Sequence, residues 1–280
     1  MVKHKVYQGN CLEILERKKF PASVDLTFLD PPFNQNKDYS FHDDNLSLER
    51  YWDMMKEVCE KTFSVTSEGG AIYFMQREKN TEHVLHCLRE TGWTFQSLII
   101  WKKKTSAVPQ NSRYGKHYQV IAFATKGDTP RVFNKLRIDP PLLETEKYRR
   151  PNGVFVTDVW DDIRELTSGY FAGDEPLRNG DGERFHKQQS PIRLLARIIL
   201  SSSKVNDLVF DPFAGTGTTL VVASQLDRKS IGIEIDAKNV ERIDDRLKTI
   251  RKSDSVDSIY KEYAYTPDLD QIWSNDRKVR

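Results

Sequence analysis

Apolar residues fall into two rhythms along the chain. Short, mostly apolar runs at 24–29, 71–75, 95–101, 120–124, 208–210 and 230–235 have the length and composition of buried strands. Between them, apolar positions recur at helical spacing. Tyr51, Trp52, Met55, Val58, Cys59 and Phe63 mark a helix over 48–63, and a second over 83–91 is closed by Gly92. Three more helices are predicted at 191–200, 218–226 and 237–250. Strands alternating with helices predict an α/β fold around a doubly wound, mostly parallel sheet. Residues 128–185 break the rhythm. They are rich in Pro, Gly, Asp, Arg and Tyr and read as an irregular insertion between two halves, 1–127 and 186–250. The stretch 251–280 is polar and mixed in charge, which predicts a loosely packed or disordered tail.

Composition narrows this picture without changing it. The 280 residues suffice for one large α/β domain with insertions, or two small ones. Charged residues make up 30%, and no apolar run approaches the ~20 residues of a membrane span. The N-terminal MVKHKVYQGN lacks the apolar core of a secretory signal, so a cytoplasmic location is expected. Cys11, Cys59 and Cys87 are far apart, which argues against a structural zinc site or a disulfide framework. Net charge is only +2, so bulk charge announces no polyanionic partner. Locally, residues 101–116 carry Lys102, Lys103, Lys104, Arg113 and Lys116 with no acid among them, either a solvated face or a phosphate-contacting loop.

Two stretches carry chemistry. LDPPF at 29–33 places Asp30, Pro31, Pro32 and Phe33 just past the first predicted strand. It is a rigid turn, or a stiff acceptor cluster presented to a ligand at the strand's carboxyl end. LVFDPFAGTGTT at 208–219 runs strand, glycine turn, helix, so helix N–H groups and close backbone approach are available to a ligand. The next strand ends in Glu234, placed to accept from a ribose diol. The third glycine of a dinucleotide fingerprint is missing, and Asp211 would oppose a pyrophosphate. A ligand with an adenosine ribose and a cationic amino-acid end satisfies both acids, and S-adenosylmethionine is such a molecule.

These stretches resemble the bacterial and archaeal DNA amino-methyltransferases, which methylate adenine N6 or cytosine N4. Asp-Pro-Pro-Phe at 30–33 resembles their catalytic tetrad, DPFAGTGTT at 211–219 their cofactor loop, HKQQSP at 186–191 the element before that loop, and VTDVWDD at 156–162 a further element. The catalytic motif precedes the cofactor loop, the order of the beta class, with target recognition between the halves. The resemblance implies a Rossmann-like methyltransferase fold and S-adenosylmethionine as cofactor. It implies cofactor contacts at Asn10, Cys11, Asp30, His186, Gln188, Ser190, Asp211, Phe213, Ala214, Gly215, Thr216, Gly217, Thr218, Glu234 and Ile235. Ser190 stands where the family has lysine, and Asn10 where it usually has an acid.

The implied reaction is methyl transfer to N6 of a flipped-out adenine in double-stranded DNA, with cytosine N4 as the alternative and no metal required. Asp30 and the Pro31 carbonyl would accept the two amino hydrogens while Phe33 stacks on the base. An inactive nucleotide- or DNA-binding module and a dinucleotide oxidoreductase are the competing classes. Intact Asp30, Gly215 and Gly217 argue against the first, the missing glycine and Asp211 against the second. Expected DNA contacts are Asn34, the Lys102–Lys116 basic residues, and Arg131, Lys135, Arg137, Lys147, Arg149, Arg150 and Arg164 of the insertion. A restriction-modification setting with a cognate endonuclease is expected, and dimers occur in the family.

Overall fold

A computed structural model describes residues 3–16, 20, 23–34, 38–39, 42–43, 46–105, 107–109, 111–139, 150–166, 173–185 and 189–274, with backbone alone at 38–39 and 42–43. The strands of the main sheet are β1 (His4–Gln8), β2 (Val24–Leu29), β5 (Thr66–Arg77), β6 (Trp93–Lys102), β7 (Tyr118–Lys126), β10 (Val159–Trp160), β11 (Leu208–Asp211) and β12 (Lys229–Glu234). They lie in the order β1-β12-β11-β2-β5-β7-β6-β10. Every neighbouring pair is parallel except those made by β7, which runs against both β5 and β6. The mostly parallel expectation holds, with one reversed strand. Two short hairpins, β3 (Asp38–Tyr39) with β4 (His42–Asp43) and β8 (Arg137–Ile138) with β9 (Val154–Phe155), stand outside this sheet.

The pleat explains why the predicted strands carry apolar residues on both faces. Leu26, Phe28, Tyr73, Met75, Ile121 and Phe123 face α4 (Ile192–Ser202), whose Leu194, Leu195 and Ile198 are fully buried. Their neighbours Leu29, Ile72, Phe74, Ala122 and Ala124 face the other way, onto Met55, Val58 and Cys59 of α2 (Leu48–Val65). A sheet covered on both faces has no polar side to present. The remaining helices are α1 (Cys11–Leu15), α3 (Thr81–Glu90), α5 (Thr218–Gln225), α6 (Ala237–Lys248), α7 (Asp257–Tyr260) and α8 (Leu269–Trp273). Among the described residues, no helix is long and apolar enough to cross a membrane.

Residues 251–274 correct the expectation of a loose tail. Val256, Ile259, Tyr263, Leu269 and Trp273 are buried in the same cluster as α4. Arg228, itself wholly buried, ties the segment down. Its guanidinium donates to the carbonyls of Ile272 and Trp273 at 2.7 Å and to that of Ser203 at 2.9 Å.

Candidate active site

Parallel neighbours end at the same edge of a sheet, and ligands of open α/β sheets gather there. Here Asp30 directly follows β2, while β11 ends at Asp211 and β12 at Glu234, on three adjacent strands. The two motif stretches, far apart in sequence, are thereby brought side by side.

Asp30 is half-buried, and its Oδ2 accepts a hydrogen bond from Ser190 Oγ at 3.0 Å. Desolvation pushes its carboxyl up to about 7, and the Asp211 charge adds to the rise; the Ser190 bond and the Lys103 ammonium oppose it. The turn after it is braced from behind. Tyr51 of α2 donates its hydroxyl to the Pro32 carbonyl at 2.8 Å, and Gln76 Nε2 donates to the Tyr51 oxygen at 2.9 Å. Pro31 is buried. Phe33 is 6% exposed and packs in the large cluster with α4.

Asn34 departs from the expected DNA contact. It adopts φ 51°, and its amide is clasped to Leu46, with Nδ2 donating to the carbonyl at 2.7 Å and Oδ1 accepting from the N–H at 2.8 Å. A left-handed Asn closing a loop on itself is local turn chemistry. Both ends of the amide are thereby engaged within the protein.

The glycine turn is held by the acids around it. Asp211 accepts from Phe213 N at 3.0 Å and from Thr219 Oγ1 at 2.5 Å. Glu234 accepts from Gly215 N and Asp236 N, both at 2.8 Å, and from Asn239 at 3.3 Å. Gly217 has φ 78°, and a Cβ there would lie 2.6 Å from Ile243 Cγ1, so only glycine fits. Ala214 and Thr216 are buried, Phe213 half-buried and Ile235 41% exposed. Beneath the turn, buried Arg246 donates to the Thr216 carbonyl at 2.5 Å, reaches Thr218 Oγ1 at 3.4 Å and pairs with Asp254 at 3.0 Å. Thr218 therefore faces this arginine. Asn10 caps α1, its Oδ1 accepting from Leu12 N at 2.9 Å. Cys11 is buried, with its thiol pushed up to about 12 by burial. His186 and Gln188 lie outside the described residues.

Burial pushes Asp211 up to about 7 as well and raises Glu234. Among the described residues, none of the three acids is ion-paired. Three desolvated acids, with only the more distant Lys103 ammonium acting on one of them among the described residues, fit a ligand that brings its own positive charge. The sulfonium and ammonium groups of S-adenosylmethionine meet that need, and Glu234 beside the glycine turn suits its ribose.

The basic residues divide by edge. β6 ends at the edge of Asp30, so Lys102, Lys104 and Arg113 stand exposed beside the site, with Tyr114 95% exposed next to them. Glu165 fastens this loop, accepting from Lys104 N at 2.8 Å, from Thr105 N at 3.0 Å and from the Thr105 hydroxyl. Lys116 pairs with Glu78 at 3.7 Å. Lys103 is half-buried, its ammonium 5.2 Å from the Trp101 ring centroid and its field felt by Asp30, so it faces the pocket.

Antiparallel β7 delivers the next residues to the opposite edge. Arg131 there pairs with Asp25 at 3.1 Å and with Asp207, at the starts of β2 and β11. Lys135 follows next to Asn134, which is tied to the last turn of α4 by a 2.7 Å bond to the Leu200 carbonyl. Both therefore lie at the edge of the sheet opposite Asp30. Arg137 grips the Asn152 and Gly153 carbonyls and stacks on Phe155, a hairpin clamp. Arg150 is exposed, while Lys147 and Arg149 lie outside the described residues.

Sequence reasoning missed Tyr51, Gln76, Glu165 and Arg246. Each acts through a partner distant in sequence, and nothing local marks it.

This geometry meets its counterpart in known proteins. Residues 24–245 match the family described as DNA methylase, which has adenine-N6 and cytosine-N4 members. The chain is 32% identical over 274 residues to the type II methyltransferase M.BamHI of Bacillus amyloliquefaciens, covering 92% of this chain and 60% of that protein. It is 30% identical over 241 residues to M.HpaI of Haemophilus parainfluenzae, covering 85% and 73%. To the DNA adenine methyltransferase YhdJ of Escherichia coli K12 it is 32% identical over 247 residues, covering 81% and 78%. In fold it is similar to the M1.HpyAVI–SAM complex (TM-score 0.59, 22% identity, 87% of this chain and 98% of that one) and to the cytosine-N4-specific PvuII DNA methyltransferase (TM-score 0.63, 19% identity, 94% and 93%). The chain belongs to the DNA methylase family.

Proposed function

We propose that the protein transfers a methyl group from S-adenosylmethionine to the exocyclic N6 of an adenine flipped out of double-stranded DNA. The observation that carries this reading is the adjacency of Asp30 and Asp211 on paired strands, which puts the acceptor motif next to the cofactor turn. The adenine assignment is supported by the resemblance to YhdJ.

An exocyclic amino nitrogen is a weak nucleophile because its lone pair is delocalised into the ring. Asp30 accepts one amino hydrogen and the Pro31 carbonyl the other, so the lone pair is turned out of the ring plane. Tyr51 and Gln76 keep the turn from yielding. Phe33 forms the floor under the base. Asp211, Glu234 and the turn 213–217 hold the cofactor, which supplies an electrophilic methyl on cationic sulfur. Positioning and electrostatics aimed at the developing positive charge on nitrogen do the rest. Lys102, Lys104 and Arg113 contact phosphates beside the pocket. The type II relatives support a modification role alongside a nuclease of the same site.

The test is incubation of unmethylated DNA with labelled S-adenosylmethionine, followed by nucleoside mass analysis. N6-methyladenine is expected, and N4-methylcytosine would overturn the base assignment while leaving the site intact. Asp30→Ala should lower transfer about 10²–10³-fold, as removal of a main electrostatic stabiliser does. Undiminished transfer would remove Asp30 from the chemistry.

A further inference from the structure

Ser190 departs from the family pattern, and its position gives the departure a use. We propose that Ser190 is a positioning residue for the methyl-accepting amino group: its hydroxyl engages Oδ2 of Asp30 and so leaves Oδ1 to receive the base. This rests on the reading of Asp30 given above. Oδ1 has no donor among the described residues, while Oδ2 is 3.0 Å from the Ser190 hydroxyl. The bond joins the loop entering α4 to the end of β2, across 160 positions of sequence.

The charge balance at Asp30 explains why such a donor matters. Among the described residues, three groups act on it: Ser190 from the loop before α4, Asp211 from the end of β11, and Lys103 from the loop after β6. Asp211 favours the protonated carboxyl, as burial does; Ser190 and Lys103 favour the ionised one. A protonated Asp30 carries its hydrogen where an acceptor is needed. A hydroxyl donor stabilises the carboxylate without adding charge, and fixes which oxygen remains for the base.

The experiment is the dependence of kcat/KM for DNA on pH, for wild type, Ser190→Ala and Ser190→Thr. Ser190→Ala should move the acid limb upward by about one pH unit, as loss of a hydrogen bond to an ionised carboxyl does. Activity should recover to within a few-fold at high pH. Ser190→Thr, which keeps the hydroxyl, should restore the wild-type limb, and S-adenosylmethionine affinity should be unchanged in both. An unmoved limb in Ser190→Ala, with or without a uniform loss of activity, would overturn the proposal. Weakened cofactor binding with an unmoved limb would return Ser190 to the cofactor site. If Ser190→Ala does not fold, Ser190→Cys, a weaker donor, should show a smaller upward shift, and no shift would count against the proposal. Absence of methyl transfer by the wild-type protein would instead sink the proposed function.

Discussion

Asp30 is a residue held against its own preference. A free aspartate titrates near ~4, whereas burial pushes this one up to about 7. Between those values the folded protein binds a proton that the unfolded chain has released. Stability therefore falls as pH rises through this window and stays reduced above it. Asp30→Asn removes the ionisable group while nearly keeping its shape. It should stabilise the fold on the order of 2 kcal/mol above pH ~7.5, with the gain gone near pH ~4. Denaturant unfolding at the two pH values checks this, and equal gains at both would refute it. The tetrad 30–33 alone marks Asp30 as a candidate site residue. The surroundings that raise its carboxyl are not legible there, because Ser190, Asp211 and Lys103 are all distant in sequence.

Among the elements, strands with both faces buried were legible as apolar runs, and 24–29 matches β2 residue for residue. β1 was not, because every position of HKVYQ at the sheet's edge is half-exposed or exposed. The fastening of 251–274 was hidden for another reason: its apolar residues are sparse, and buried Arg228, far away in sequence, supplies donors to the carbonyls at the end of α8. Arg228→Met should cost about 3 kcal/mol or more, since several buried carbonyls lose their donor at once. Arg228→Lys should not rescue it, because an ammonium lacks the planar fork. Chemical denaturation measures both. Tyr51→Phe is the subtler test of how α2 steadies the catalytic turn. Losing one buried hydrogen bond of about 1 kcal/mol should lower kcat several-fold while cofactor affinity holds.

At the scale of the molecule, a net charge of +2 conceals a division between edges. The reversed strand β7 sends Arg131 and Lys135 to the edge away from the site, whereas β6 sends Lys102, Lys104 and Arg113 to the near one. Sequence could place these residues in loops but could not assign an edge, since that depends on strand direction. Replacing Lys102, Lys104 and Arg113 together with glutamine should weaken DNA binding. The slope of log K against log salt should shrink by about 0.9 for each phosphate no longer neutralised. Arg131→Gln and Lys135→Gln should leave that slope unchanged. Fluorescence anisotropy over a salt series distinguishes the two groups, and a fall with the second would reverse the assignment.

The pairing of β2 with β11 also sets when the protein can first exist. The Leu208 amide bonds to Asp25 across 183 positions, and β1 waits still longer for β12. During synthesis, at ~5–20 residues per second, the edge of β2 stays bare until that partner emerges. Such distant closures make folding slow and leave an open strand exposed to other chains. Asp30 and Asp211 become neighbours only when they close. A nascent chain therefore cannot bring Asp30, Asp211 and Glu234 together until residue 234 has left the ribosome.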